Sequence, residues 1–191
     1  MTDDTLVVFL NDNGGPIYTK VQSNGPLRLG KLFLFDGGVR VPMIVKWPKR
    51  ARAGFVFDGM SSSLDLFPTV CAAAGIEVPS TIELDGTDLL PYLNGDVGGA
   101  PHDRLFWSNG PNIAVRNGDW KLIKSHENVW LFDLSEDVGE KNNLAGRRPD
   151  MVQQLEKEHA DWKAQMRPPA WPSKPNRRKI PVDDVTYEMN I

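Results

Sequence analysis

Residues 5–10 (TLVVFL) form a short continuous apolar run, and residues 41–47 (VPMIVKW) form a second, stopped by Pro48. Runs of this length without polar alternation suit strands buried on both faces of a parallel sheet. Between them, residues 11–40 are rich in Gly, Asn and Pro and read as one long loop. Loops that long are functional or disordered far more often than they are plain connections. Residues 61–63 then offer serine caps ahead of LDLFPTVCAAAG. Leu64, Phe67, Val70 and Cys71 fall on one face of the helix predicted there, Pro68 lies near its first turn, and Gly75 supplies the stop. Residues 85–93 (DGTDLLPYL) predict one short helix, followed by the turn NGDVGG.

From about residue 100 the pattern changes to four short strand-like runs, RLFWSN, NIAVRN, DWKLIK and VWLFDL. Asn117-Gly118 between two of them is a type I′ hairpin signal, and the four runs predict a small antiparallel meander. One long helix follows, with Pro149 in its first turn and Met151, Leu155, Trp162 and Met166 as an apolar stripe at helical spacing. Pro168-Pro169 is expected to end it. The tail, residues 168–191, holds five prolines and is expected to run extended. The pattern therefore predicts a mixed α/β chain in three parts: residues 1–99, residues 100–167 with the antiparallel sheet and helix, and the Pro-rich tail 168–191. No internal repeat is found.

Composition narrows the function classes. The 191 residues carry 22 basic and 25 acidic side chains, a net charge of −3. Nucleic-acid binding leaves a basic excess that is missing here, whereas a small anionic substrate needs only a local positive site. Cys71 is the single cysteine, so an intrachain disulfide and a cysteine-based zinc site are both excluded. Its apolar setting suggests a buried structural thiol. No apolar run approaches the roughly 18 residues of a membrane helix, the start is acidic where a signal peptide is basic, and there is no Asn-x-Ser/Thr sequon. As it stands the chain reads as cytoplasmic; for a longer parent, a secreted or periplasmic location stays open.

Asp12-Asn13 admits two readings. One is a β-turn, with PIYTKV as the returning strand. The other is a hard-cation site at the end of a buried strand, where open α/β sheets place their ligands. Carboxylate and amide oxygens suit Ca²⁺ or Mg²⁺, but Ca²⁺ takes about six to eight oxygens, so the remaining ligands come from elsewhere. Lys31 follows Gly30 and precedes the apolar run 32–35 that anchors it. An ammonium fixed near a cation site can stabilise an anionic ester oxygen. Arg28 and Arg40 are further candidates, equally able to serve as structural ion-pair partners. His102, His126 and His159 show no metal-ligand spacing. Structural or solvent roles suit all three, with His159 as a packing residue on the long helix. The basic run Arg177-Arg178-Lys179, with Trp171 upstream, is either a solvated tail or the lining of a groove for a sulfated or sugar substrate.

Taken in order, the motifs resemble one family. TLVVFLNDNGG resembles the strand and loop that carry two metal ligands in type I, formylglycine-dependent sulfatases of the alkaline-phosphatase-like superfamily. SNGPLRLGKLFLFDGGVRVPMIVKWP looks like the segment that supplies their active-site lysine. SSSLDLFPTVCAAAGI and LDGTDLLPYLNG match the helix and short segment that follow. RLFW, AVRNGDWKLI and VWLFDLSEDVGEKNNLA resemble the C-terminal subdomain. The last of these favours sulfatases over other branches of the superfamily. The resemblance covers residues 5 to about 165, and its fold implication is a partial alkaline-phosphatase-like α/β sheet region followed by four antiparallel strands packed on a long helix.

Carried over residue by residue, the resemblance implies that Asp12 and Asn13 ligate Ca²⁺ (or Mg²⁺) and that Lys31 contacts sulfate as a catalytic residue; Arg28 and His102 are further candidate substrate contacts. The formylglycine nucleophile arises from a Cys/Ser-x-Pro-x-Arg motif in the N-terminal half of such enzymes. Cys71, followed by Ala-Ala-Ala, does not open one. The expectation is a C-terminal portion of a sulfatase, without a nucleophile and inactive alone, acting in the parent on an aryl or carbohydrate sulfate ester. Expected partners are an N-terminal sulfatase half or a second copy of the chain, with neither nucleic acid nor membrane. Two alternatives stand beside this: a non-enzymatic binding or split-partner module, and part of a phosphodiesterase or phosphonate hydrolase of the same superfamily.

Overall fold

The computed structural model describes residues 3–171, 176–182 and 185–190. In chain order the elements are β1 (Val7–Leu10), α1 (Asp36–Val39), β2 (Met43–Lys46), α2 (Leu66–Ala74), α3 (Leu90–Asn94), β3 (Arg104–Asn109), β4 (Asn112–Asn117), β5 (Trp120–Ser125), β6 (Asn128–Asp133), α4 (Pro149–Lys163), β7 (Arg177–Val182) and β8 (Val185–Asn190). They form two compact units. One joins Met1–Leu10 to Met43–Asp103, and the other joins Asn11–Pro42 to Arg104–Ile191. The long loop thus groups with the C-terminal sheet, a division that differs from a single boundary near residue 100.

In the first unit the two apolar runs pair with each other, antiparallel, with Phe9 opposite Ile44 and Leu10 opposite Met43. The parallel sheet expected for them is not seen among the described residues: each run finds only the other as a neighbour. One face of this ribbon is left open, with Val7 50%, Phe9 56% and Ile44 61% exposed. The serines cap a 3₁₀ turn, Ser63–Asp65, that leads directly into α2. The Ser62 hydroxyl and the Asp65 carboxylate cap each other's backbone reciprocally, and Gly75 ends the helix at φ +68. Its burial is the reverse of the expectation. Leu64, Phe67 and Val70 are exposed, while Asp65 and Thr69 are buried. The polar side faces inward because it holds other backbone. Asp65 Oδ1 accepts from the Thr87 amide (2.8 Å), and Thr69 Oγ1 accepts from the Leu89 amide (2.9 Å).

In the second unit β3–β6 form the predicted four-stranded antiparallel meander. Its tight turns open on Gly110 (φ +58), Gly118 (φ +56) and His126 (φ +53), the left-handed geometry that matches strand twist in two-residue hairpins. Strand alternation gives the sheet two faces. Val115, Leu122 and Leu131 pack with Leu155 of α4, flanked by Phe106 and Met151, and Phe106 stacks on Trp162 at 5.2 Å. Ala114, Ile123 and Phe132 lie on the other face, packed with Leu29, Phe33, Phe35 and Tyr187. The helix α4 stops at Lys163, short of Pro168, and Met166 is exposed instead of extending the stripe. The extended tail is also revised. Residues 177–182 and 185–190 form an antiparallel hairpin, whose Tyr187, Ile180 and Val182 join the core.

Candidate functional site

The loop 11–42 is ordered by glycines that let three backbone segments touch. A Cβ on Gly14 would lie 1.6 Å from the Gly37 carbonyl oxygen, and one on Gly30 would lie 2.0 Å from that of Gly15. Only hydrogen fits at either position. Hydrogen bonds close the contact: Gly14 N donates to Gly38 O (2.9 Å), and Lys31 N to Gly15 O (3.1 Å). Asn24 completes the knot, accepting from the Gly15 amide and donating to the Gly15 and Leu29 carbonyls.

This knot brings the backbone of three sequence candidates to one junction. Asp12 and Asn13 immediately precede Gly14, and the Lys31 backbone is bonded to Gly15. Asn13 Nδ2 donates to Asp12 Oδ1 at 2.7 Å, a contact that does not use the Asn13 side-chain oxygen or the second Asp12 oxygen. Asp12 and Lys31 are exposed and Asn13 half-buried. The hairpin alternative for Asn13-Gly14 is excluded, because Ile17–Thr19 form a short 3₁₀ turn and residues 16–21 hold no returning strand. The two oxygens are the hard donors that Ca²⁺ or Mg²⁺ prefers. They fit a cation in kind but not in number: among the described residues no group of three or more His, Cys, Asp and Glu side chains could hold a metal ion.

The other candidates are held by the fold. Arg28 donates through Nη1 to the Glu140 carbonyl and through Nη2 to Tyr187 Oη (2.7 Å), with its guanidinium over the Phe35 ring at 5.1 Å. His102 lies in the first unit, its Nε2 2.7 Å from Oδ1 of the fully buried Asp65. Arg40 approaches Asp36 Oδ2 at 3.7 Å. His159 is buried on α4 as a packing residue, and His126 sits in the β5–β6 turn. Arg177 of the basic run pairs with Glu127 at 3.1 Å.

Three functional candidates escaped the sequence reading. Lys121, fully buried on β5, places Nζ 2.5 Å from Asp36 Oδ1 and 2.8 Å from Glu140 Oε1. Glu140 Oε2 accepts from the Asp36 amide (2.7 Å), and Arg116 approaches Asp36 Oδ2 at 4.0 Å. Burial pushes the Glu140 carboxyl up, against the pull of the Lys121 ammonium. A signal existed: strand alternation puts Lys121 on the same face as Ile123, where a charge needs partners.

Comparison with known proteins names the class. Residues 28–165 match the family model described as N-sulphoglucosamine sulphohydrolase, C-terminal. The chain belongs to the sulfatase family, and what it matches is the family's C-terminal region. It is 35% identical over 181 residues to steryl-sulfatase of Mus musculus, covering 74% of this chain and 29% of that protein. It is 34% identical over 190 residues to arylsulfatase A of Homo sapiens, covering 81% and 37%. Among solved structures, Ps i-CgsB in complex with k-i-k-neocarrahexaose superposes with a TM-score of 0.77 at 33% identity, covering 89% of this chain and 39% of that one. The PsFucS1 sulfatase from Pseudoalteromonas sp. superposes with a TM-score of 0.70 at 26% identity, covering 85% and 37%. The chain spans about a third of the length of the curated relatives it matches.

The expectation of no nucleophile needs one correction in the sequence itself. The pattern Ser-x-Pro-x-Arg occurs once, as Ser173-Lys174-Pro175-Asn176-Arg177. It follows the region matched by the family, which ends at residue 165, whereas the family motif belongs to the N-terminal half. Ser173 lies outside the described residues.

Proposed function

We propose that this chain supplies part of the active site of a sulfuric ester hydrolase. Asp12 and Asn13 would hold Ca²⁺ or Mg²⁺ through their side-chain oxygens, and Lys31 would contact the sulfate group. The observation that carries this reading is the glycine knot, which ties Asp12-Asn13 and Lys31 to one backbone junction in a chain of the sulfatase family. When bound, such a cation offsets the negative charge of sulfate oxygens. The Lys31 ammonium, exposed and without a side-chain partner among the described residues, would donate to those oxygens as charge develops on them. Arg28 and His102 act on this reading through the fold, each already engaged by protein groups. The substrate class is an aryl or carbohydrate sulfate ester, in keeping with relatives named steryl-sulfatase, arylsulfatase A and N-acetylgalactosamine-6-sulfatase.

The chain by itself contributes no formylglycine on this reading and does not turn over. The open ribbon face and the outward apolar side of α2 support a second element: the chain works against a further sulfatase segment, in one polypeptide or as a partner. Binding of inorganic sulfate to the purified chain in the presence of Ca²⁺ tests the proposal. Saturable binding that Lys31→Ala and Asp12→Ala each abolish is expected. Binding untouched by either substitution, or hydrolysis of an aryl sulfate by the chain alone after host sulfatase is excluded, would overturn it.

A further inference from the structure

The ion triad of Lys121, Asp36 and Glu140 lies away from any exposed surface, all three residues being at most 2% exposed. Such a cluster is a poor source of stability, since desolvating the charges costs about as much as their attraction returns. Its better-attested use is to fix one arrangement among several. What it touches shows which arrangement is fixed. Asp36 opens α1, and its amide is held by Glu140 Oε2 (2.7 Å). The next amide, Gly37 N, donates to Arg28 O (2.9 Å), and the next carbonyl, Gly38 O, accepts from Gly14 N (2.9 Å). Arg28 is itself bonded through Nη1 to the Glu140 carbonyl. One branch from the triad thus ends beside Asn13, and the other ends three residues before Lys31.

We infer that Lys121, Asp36 and Glu140 are positioning residues, which set the spacing between the Asp12-Asn13 pair and Lys31. This rests on the function proposed above. An apolar trio could fill the same volume. It could not accept the Asp36 amide, and it would leave the Gly37–Gly38 turn to its backbone hydrogen bonds and to packing.

Amide hydrogen exchange on the intact chain, read with sulfate and Ca²⁺ binding, tests this. The variants are the neutral triple variant Asp36→Asn/Lys121→Met/Glu140→Leu, which leaves the Asp36 amide no acceptor, and Leu155→Ala as a control on the opposite face of the sheet. In the triple variant, the Gly14 and Lys31 amides are expected to exchange about tenfold faster or more, the scale set by losing a charge-assisted contact. The Leu131 and Leu144 amides, bonded to Asn143 Oδ1 and Leu131 O, keep their protection, and sulfate affinity falls. Leu155→Ala gives the opposite pattern. Uniform acceleration of all four amides, or unchanged exchange at Gly14 and Lys31, would overturn the inference. If the unsubstituted chain binds neither Ca²⁺ nor sulfate, the proposed function fails, while the exchange pattern still decides whether the triad positions the knot.

Discussion

Two residues carry tensions that an experiment can read. Leu32 adopts φ +83, a left-handed conformation that costs a branched side chain about 1–2 kcal/mol. Glycine would remove that cost but adds about 0.5–1 kcal/mol of backbone entropy. Leu32→Gly is therefore expected to leave stability unchanged or raise it by up to about 1 kcal/mol, unlike most loop substitutions of a leucine, and a urea midpoint measures it. His159 is the second. Burial, aided by Lys163, pushes its imidazole below the usual histidine range, with a backbone contact at Trp107 opposing. Because the folded pKa is the lower one, the unfolded chain takes up the proton first as pH falls. This contribution to stability is complete above about pH 6.5 and is lost as pH drops through that value toward the folded pKa. Thermal melts between neutral pH and about pH 5 should show the loss, and His159→Leu should flatten that slope. At this scale Asp12, Asn13 and Lys31 stand out in the sequence as candidates, because polar side chains beside apolar runs and glycines invite a site, and their roles are proposals. Asp36, Lys121 and Glu140 do not stand out, since the triad joins positions more than 80 residues apart in sequence between Asp36 and Lys121.

Among the elements, the meander and α4 were the most legible, because alternation and helical spacing are local signals that tertiary contacts here reinforce. The loop 11–42 was legible as a loop and opaque as a structure. Its order comes from backbone approaching backbone, and the only trace of that is the glycines. Gly14→Ala would set a methyl 1.6 Å from the Gly37 oxygen, and forcing the backbones apart is expected to cost about 1–3 kcal/mol. It should also abolish the Ca²⁺-dependent sulfate binding, whereas Gly54→Ala, open to solvent at φ +70, should affect stability only. A urea series with parallel binding isotherms separates the two. The hairpin at the end of the chain was missed because Pro181 and the neighbouring prolines argue against a strand. Pro181 is tolerated in a two-stranded ribbon, where one edge needs no partner.

For the whole molecule, the informative feature is apolar surface in the first unit. Val7, Phe9 and Ile44 on the ribbon, with Leu64 in the turn before α2 and Phe67 and Val70 on α2, are each half-exposed or more. A two-stranded ribbon is marginal alone, and open strand edges beside apolar surface favour association. Concentration-dependent self-association in light scattering is expected, relieved by Phe9→Lys/Ile44→Lys; a monomer at all concentrations would contradict it. Ser173 is expected to stay a serine, unlabelled by an aldehyde-reactive hydrazide. Function in this molecule centres on the proposed cation-and-sulfate junction at the glycine knot. Its most direct test is a Ca²⁺ titration of the chain followed by NMR. Saturable shifts of the Asn13 side-chain amide and the Gly14 and Lys31 backbone amides are expected, at millimolar or weaker affinity, lost in Asp12→Asn. Shifts scattered over exposed carboxylates elsewhere, with the knot unmoved, would contradict it.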